Sequence, residues 1–149
     1  MLYQVYLRHA VAYVPSVART EAGIYREIEP VTVVAATDTE GLRRAITARL
    51  NEDNVLIPTP ARGSIPKPIL LNYAKVKSWS TFEKTAFVWT ILKNPDGFQI
   101  KPGRRRSDRG WEEDPATIET FPNGATIEAL AERITALIQA TNTAAQPRA

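Results

Sequence analysis

The chain has 149 residues, 44% of them apolar, enough for one compact domain with a core of its own and too few for two. It contains no cysteine and one histidine, and 19 Lys and Arg against 16 Asp and Glu leave a net charge of only +3. Disulfides, thiolate metal sites and cysteine nucleophiles are thereby excluded, a reducing cytoplasm is the expected setting, and the charge excess is mild for a dedicated nucleic-acid binder.

Tyr3, Val5 and Leu7 alternate with Gln4, Tyr6 and Arg8, which predicts a half-buried first strand. Arg8 and His9 end that apolar run early, so no cleaved signal is expected, and no window approaches the roughly 20 apolar residues of a membrane span. Residues 11–17 predict a second strand, in which Pro15 calls for an edge position or a bulge because proline cannot donate to the ladder. Residues 23–29 and 31–36 read as two further β segments separated by Pro30.

A helix is expected after Thr37, Asp38, Thr39 and Glu40, with Thr37 as the cap and Glu40 reaching back three residues later. Leu42, Ala45, Ile46 and Leu50 then share one face, and Arg43, Arg44 and Arg49 fall on the solvated side. Prolines 58, 60, 66 and 68 mark a long loop of candidate functional interest, after which residues 69–76 read as a strand. Residues 80–83 repeat the capping-box pattern and predict a single helical turn carrying Phe82. Residues 86–92 are apolar on both faces, as a central strand should be.

Asn94, Pro95, Asp96 and Gly97 form a strong turn signal for a hairpin whose second strand turns Phe98 and Ile100 inward. Residues 117–121 predict a short strand. Thr126 caps a last helix whose stripe is Ile127, Leu130, Ala131, Ile134, Leu137 and Ile138. Beyond Gln139 the residues become small and polar, and 141–149 are expected to be a disordered tail on a single domain spanning 1–140. The sum is an α+β domain, a mostly antiparallel sheet with two amphipathic helices packed on one face.

Catalytic constellations are short of side chains. His9 would have to serve any triad alone, and the Ser64 and Lys67 pair needs a helical turn that Pro66 discourages. Neither GxGxxG nor a phosphate-binding P-loop occurs, and Glu112, Glu113 and Asp114 are consecutive rather than spaced as in a calcium loop. No enzyme activity, metal or cofactor is expected, with a metal-assisted nuclease as the least favoured alternative.

The segment 101–114, KPGRRRSDRGWEED, concentrates five cations, four anions and an indole in one expected loop. Arg104, Arg105, Arg106 and Arg109 suggest phosphate contacts and Trp111 a stacking surface, but Asp108, Glu112, Glu113 and Asp114 nearly cancel the charge. Arginine and tryptophan beside charges of both signs suit a protein interface better, and nearby Lys77 and Trp79 extend the expected contact surface. The competing reading is that these charges pair among themselves and Trp111 plugs the edge of the core.

KVKSWSTFEKTA over residues 75–86, followed by RRSDRGWEEDP over 105–115, resembles the immunity proteins of bacterial contact-dependent growth inhibition systems. The resemblance extends over most of the chain. It implies a cytoplasmic, non-catalytic protein that binds and blocks the C-terminal toxin domain of a cognate effector delivered by a neighbouring cell. It supplies neither a fold nor a set of contact residues. A small RNA- or DNA-binding module using the 101–114 segment is the alternative.

Overall fold

The structure, a computed structural model, describes residues 1–146. Its strands are β1 (Leu2–Arg8), β2 (Val11–Thr20), β3 (Tyr25–Ala35), β4 (Leu56–Ile57), β5 (Ala86–Asn94), β6 (Gly97–Arg105), β7 (Trp111–Glu113) and β8 (Glu119–Pro122). Its helices are α1 (Thr39–Leu50), α2 (Leu70–Ala74), α3 (Trp79–Thr85) and α4 (Ile127–Ala145). The strands form one sheet in the order β3-β2-β1-β5-β6-β7, with β4 beside β2 and β8 beside β6. Every pairing is antiparallel except that of β2 with β4, so the fold is α+β with a mostly antiparallel sheet.

The expected face is present. Tyr3, Val5 and Leu7 of β1 and Trp89 and Ile91 of β5 bury against Leu42, Ile46, Leu130, Ile134 and Ile138 of α1 and α4. The other face is not open along its whole length, as a half-buried β1 would require. Tyr6 and Tyr13 are buried there beneath Leu70, Leu71 and Phe82, a second core roofed by the two short helices α2 and α3. The sheet therefore lies between two layers: β2 is buried on both faces from Ala12 to Ala18, and in β1 the outward Tyr6 is as buried as its inward neighbours while Gln4 and Arg8 stay half-buried.

Several local expectations are corrected by this packing. Residues 69–76 form α2 and not a strand, because Leu70, Leu71 and Ala74 meet one surface at helical spacing, and Lys75 ends the turn in the left-handed region at φ 57°. The α1 cap is Asp38, whose carboxylate accepts the Gly41 N–H; Thr37 lies one residue too early. Ser78 caps α3 by accepting the Thr81 N–H, so this helix begins at Trp79, one residue before the expected turn, and runs for seven. The register with β3 shifts between Pro15 and Ser16, as a bulge requires, but β2 lies inside the sheet and the extra residues are Glu29 and Pro30 of β3, an edge strand that continues on both sides of them. Arg49 is not solvated: its side chain is 11% exposed and donates to the Glu52 carboxylate at 2.6 Å and the Thr32 hydroxyl at 2.9 Å, tying α1 to β3.

The expected tail is helical as far as Ala145. Gln139 donates to the Ala36 carbonyl and the Thr39 hydroxyl, and Asn142 is buried, so the last turns of α4 have a surface to pack on. The remainder of the expected tail, 147–149, lies outside the described residues.

The β1–β2 hairpin turns through His9 and Ala10 at φ 50° and 62°, the left-handed pair that a two-residue type I′ turn demands. Alanine bears a Cβ strain there that glycine lacks. Ala10→Gly raises stability by about 0.5–1 kcal/mol, measured as a higher urea midpoint at unchanged slope; a lower midpoint would show that the turn carries no strain.

Candidate partner-binding site

Residues 101–114 form a hairpin rather than a loop. β6 continues to Arg105, the chain turns over residues 106–110 with Gly110 left-handed at φ 71°, and β7 returns with Trp111 opposite Arg105 and Glu113 opposite Gly103. The Arg106 N–H donates to the Gly110 carbonyl and closes the turn. Gly103 lets the hairpin fold onto the sheet, since a Cβ there would stand 2.5 Å from Cγ1 of Val88 and 3.1 Å from Cβ of Trp111.

The charges of this hairpin are largely spent on one another. Lys101 pairs with Glu113 at 3.0 Å, Arg104 with Glu112 at 3.1 Å and Arg106 with Asp108 at 2.9 Å. The Arg109 backbone N–H, and then the Arg106 guanidinium, hold the Asp108 carboxyl below its ordinary value. Asp114 caps a short 3-10 turn at Pro115–Thr117, so the three consecutive acids serve three different partners.

Arg105 and Trp111 converge on one atom: the guanidinium donates to the Ala86 carbonyl at 2.7 Å and the indole N–H to the same oxygen at 3.2 Å. The Arg105 guanidinium also lies 5.7 Å from the centre of the Phe87 ring. Trp111 and Trp79 pack edge to face at 6.0 Å, Trp79 stacks on Phe82 at 5.0 Å, and both indoles border the second core. Of the residues singled out from sequence, Trp79 and Trp111 are half-buried, Arg105 is exposed although its guanidinium reaches back to Ala86, Lys77 is exposed between α2 and α3, and the remaining charges lie on the outer surface of the hairpin.

Arg109 reaches away from the hairpin to α3, where its Nε donates to Glu83 at 3.0 Å; the carboxylate side chain is 7% exposed, the guanidinium 69%. Removing the cation leaves a buried carboxylate without its partner, while the exposed guanidinium was partly screened, so Arg109→Met destabilises by about 1–2 kcal/mol, less than a fully buried pair would. Glu83→Gln combined with Arg109→Met restores most of that loss in a denaturation series. An additive pair of losses would show that the two side chains do not act together.

Between the hairpin, α3 and the sheet lies a cavity of about 360 Å³. It is lined by Trp79, Trp111, Gln4, Tyr6 and Thr90, with Glu27 from the far strand β3, Glu112, Glu113 and Lys101 as its charged residues. The Tyr6 hydroxyl donates to Glu27 and also approaches Oε1 of Gln4 at 3.2 Å. Burial, then the Glu27 charge and its hydrogen bond, push the Tyr6 phenol well above its ordinary value, so it stays a neutral donor. Glu27 makes no salt bridge among the described residues. Sequence reasoning missed Gln4, Tyr6 and Glu27; the available signal was Tyr6 and Tyr13 at outward positions, large apolar rings on a face read as solvated.

The remaining candidates separate. His9 is exposed on the β1–β2 turn, and Ser64 and Lys67 are both exposed in a stretch without helix. The proline-rich loop carries Ile65 at 76% exposure and borders a second cavity of about 300 Å³ beside Ile24 and Tyr25. No helix among the described residues is long and apolar enough to cross a membrane.

No protein-family model and no curated protein matches the chain. Among solved structures, it is similar to a protein of unknown function, NMB0488, from Neisseria meningitidis, with a TM-score of 0.60 and 13% identity over 91% of this chain and 93% of that one. At that identity the likeness establishes a shared fold and nothing of a shared role.

Proposed function

We propose that this chain is a non-catalytic immunity protein of the cytoplasm that binds and blocks the toxin domain of a cognate contact-dependent growth inhibition effector. The observation that carries the reading is the meeting of the two segments whose sequence resembles such proteins. Residues 75–86 supply α3 and residues 105–115 the β6–β7 turn, and they join through Trp79 against Trp111, Glu83 with Arg109, and the Ala86 carbonyl under Arg105. Together they frame one side of the aromatic cavity, a concave surface bearing charges of both signs at its rim, which suits protein recognition.

The nucleic-acid alternative draws less support. Four of the five hairpin cations sit on carboxylates, which locally cancels the field that a phosphate backbone would seek. It predicts binding to unrelated RNA that falls steeply with salt.

The direct test is growth rescue on co-expression with the C-terminal domain of a large secreted protein encoded immediately upstream, together with titration of the two purified proteins. Arg105 and Trp111 are poor probes of the surface, because both support Ala86 and their loss disturbs the fold. Glu112→Arg with Glu113→Arg is cleaner. Glu112 pairs with an exposed Arg104, and Glu113 is itself exposed where it meets the more buried Lys101, so the stability cost is small and the fold is retained, while toxin affinity falls by on the order of tenfold or more. Unchanged affinity would remove the hairpin rim from the interface, and absence of any complex would remove the immunity reading.

A further inference from the structure

We propose that the cavity between β1, β3, α3 and the β6–β7 hairpin receives an arginine side chain of the protein partner, its guanidinium held by the Glu27 carboxylate and covered by the Trp79 and Trp111 indoles. The assignment rests on the partner-binding reading only for the identity of the protein that carries the arginine.

Charge accounts for the sign of the ligand. Glu112 and Glu113 at the rim are matched by Arg104 and by Lys101, which also lines the cavity, but among the described residues Glu27 has only the neutral Tyr6 hydroxyl as its donor. A carboxylate offers about four lone-pair positions, of which the phenol takes one, so capacity for further N–H donors remains. Among the described residues no cation pairs with it, and it stands at the mouth of an aromatic-walled cavity, where an incoming cation is attracted and an anion repelled.

The walls account for the shape. The rings of Tyr6, Trp79 and Trp111 stand about their mutual corner with centres 6.0 to 6.1 Å apart, two of the three pairs edge to face or nearly so. Indole faces favour a planar, weakly hydrated guanidinium over a compact ammonium, and the guanidinium fork matches a carboxylate. A divalent metal is disfavoured by the same inventory, since among the described residues two of the three carboxylates are already paired with cations.

The probe is N-acetylarginine amide, titrated into the full chain while the indole N–H resonances are followed by NMR. Trp89, buried on the opposite face of the sheet, is an internal reference. The Trp79 and Trp111 resonances should shift saturably and that of Trp89 should not, and the neutral isostere N-acetylcitrulline amide should leave all three in place. Glu27→Gln keeps an acceptor for Tyr6 and should weaken arginine binding about tenfold. If that variant loses its dispersed spectrum, Gln4→Lys sets an ammonium beside Glu27 and should weaken binding to the same extent. Equal shifts with citrulline, wild-type affinity in the folded variant, or no saturable shift with arginine would each overturn the assignment. Arginine binding without toxin neutralisation removes the immunity reading and leaves the cavity assigned; neutralisation without arginine binding does the reverse.

Discussion

Gly97→Ala destabilises this protein by roughly 3–5 kcal/mol, combining left-handed backbone strain with overpacking. Gly97 adopts φ 137°, and a Cβ there would fall 2.0 Å from the Phe121 carbonyl oxygen and 2.8 Å from the Pro122 carbonyl carbon. The obstructing atoms are backbone, so no side-chain rotation relieves them. β8 would have to move off β6, breaking the register that sets Gly97 against Pro122 and Phe98 against Phe121. Gly124→Ala is the matched control, because nothing lies within 4 Å of its Cβ position, and it should stay within about 0.5 kcal/mol of wild type. Urea midpoints that fall equally for both variants would dismiss close approach as the reason for glycine at 97.

Phe82→Ala is the second large effect, at about 4 kcal/mol, within the usual range for deleting a buried aromatic. The ring is wholly buried and touches Tyr6 at 5.6 Å, Tyr13 at 5.9 Å and Trp79 at 5.0 Å, so it joins α3 to the floor of the sheet. Losing it leaves a void that the rigid sheet cannot close and frees the Trp79 wall of the aromatic cavity. Near-ultraviolet circular dichroism should therefore lose the signal of the Trp79 environment, and arginine amide should no longer bind. Phe82→Leu, which refills part of the volume, should cost about 1–2 kcal/mol. A loss under about 1 kcal/mol for the alanine variant would mean that the second face of the sheet melts independently of the first.

The two effects differ in how far the sequence announces them. The sequence marks Gly97 as the permissive end of a turn, and the Asn94 side chain accepts the Asp96 N–H there. Its larger constraint comes from β8, 24 residues or more along the chain, which no local signal reveals. The capping pattern puts Phe82 on a helical turn but not against Tyr6 and Tyr13, because an alternating strand pattern says which residues share a face and not whether a layer covers it. The same gap explains α2: a short apolar run is equally a strand or a buried helix until its neighbours are known. The aromatic site was half legible. Trp79 and Trp111 stood out beside their charges, whereas Glu27 meets Tyr6 across 21 residues and Glu83 meets Arg109 across 26, pairings that spacing alone cannot supply.

By itself the amino-acid sequence determined the α+β class, the inward faces of β1, α1 and α4, the turn at 94–97 and the Thr126 cap, because each is set by periodicity or by hydrogen bonds within a few residues. Only the tertiary structure decided that the sheet is covered on both faces, that the hairpin cations are matched to particular carboxylates, and that Glu27 is left facing an aromatic cavity. Those outcomes depend on which distant surfaces meet. Burial and charge pairing are properties of the meeting, not of either segment.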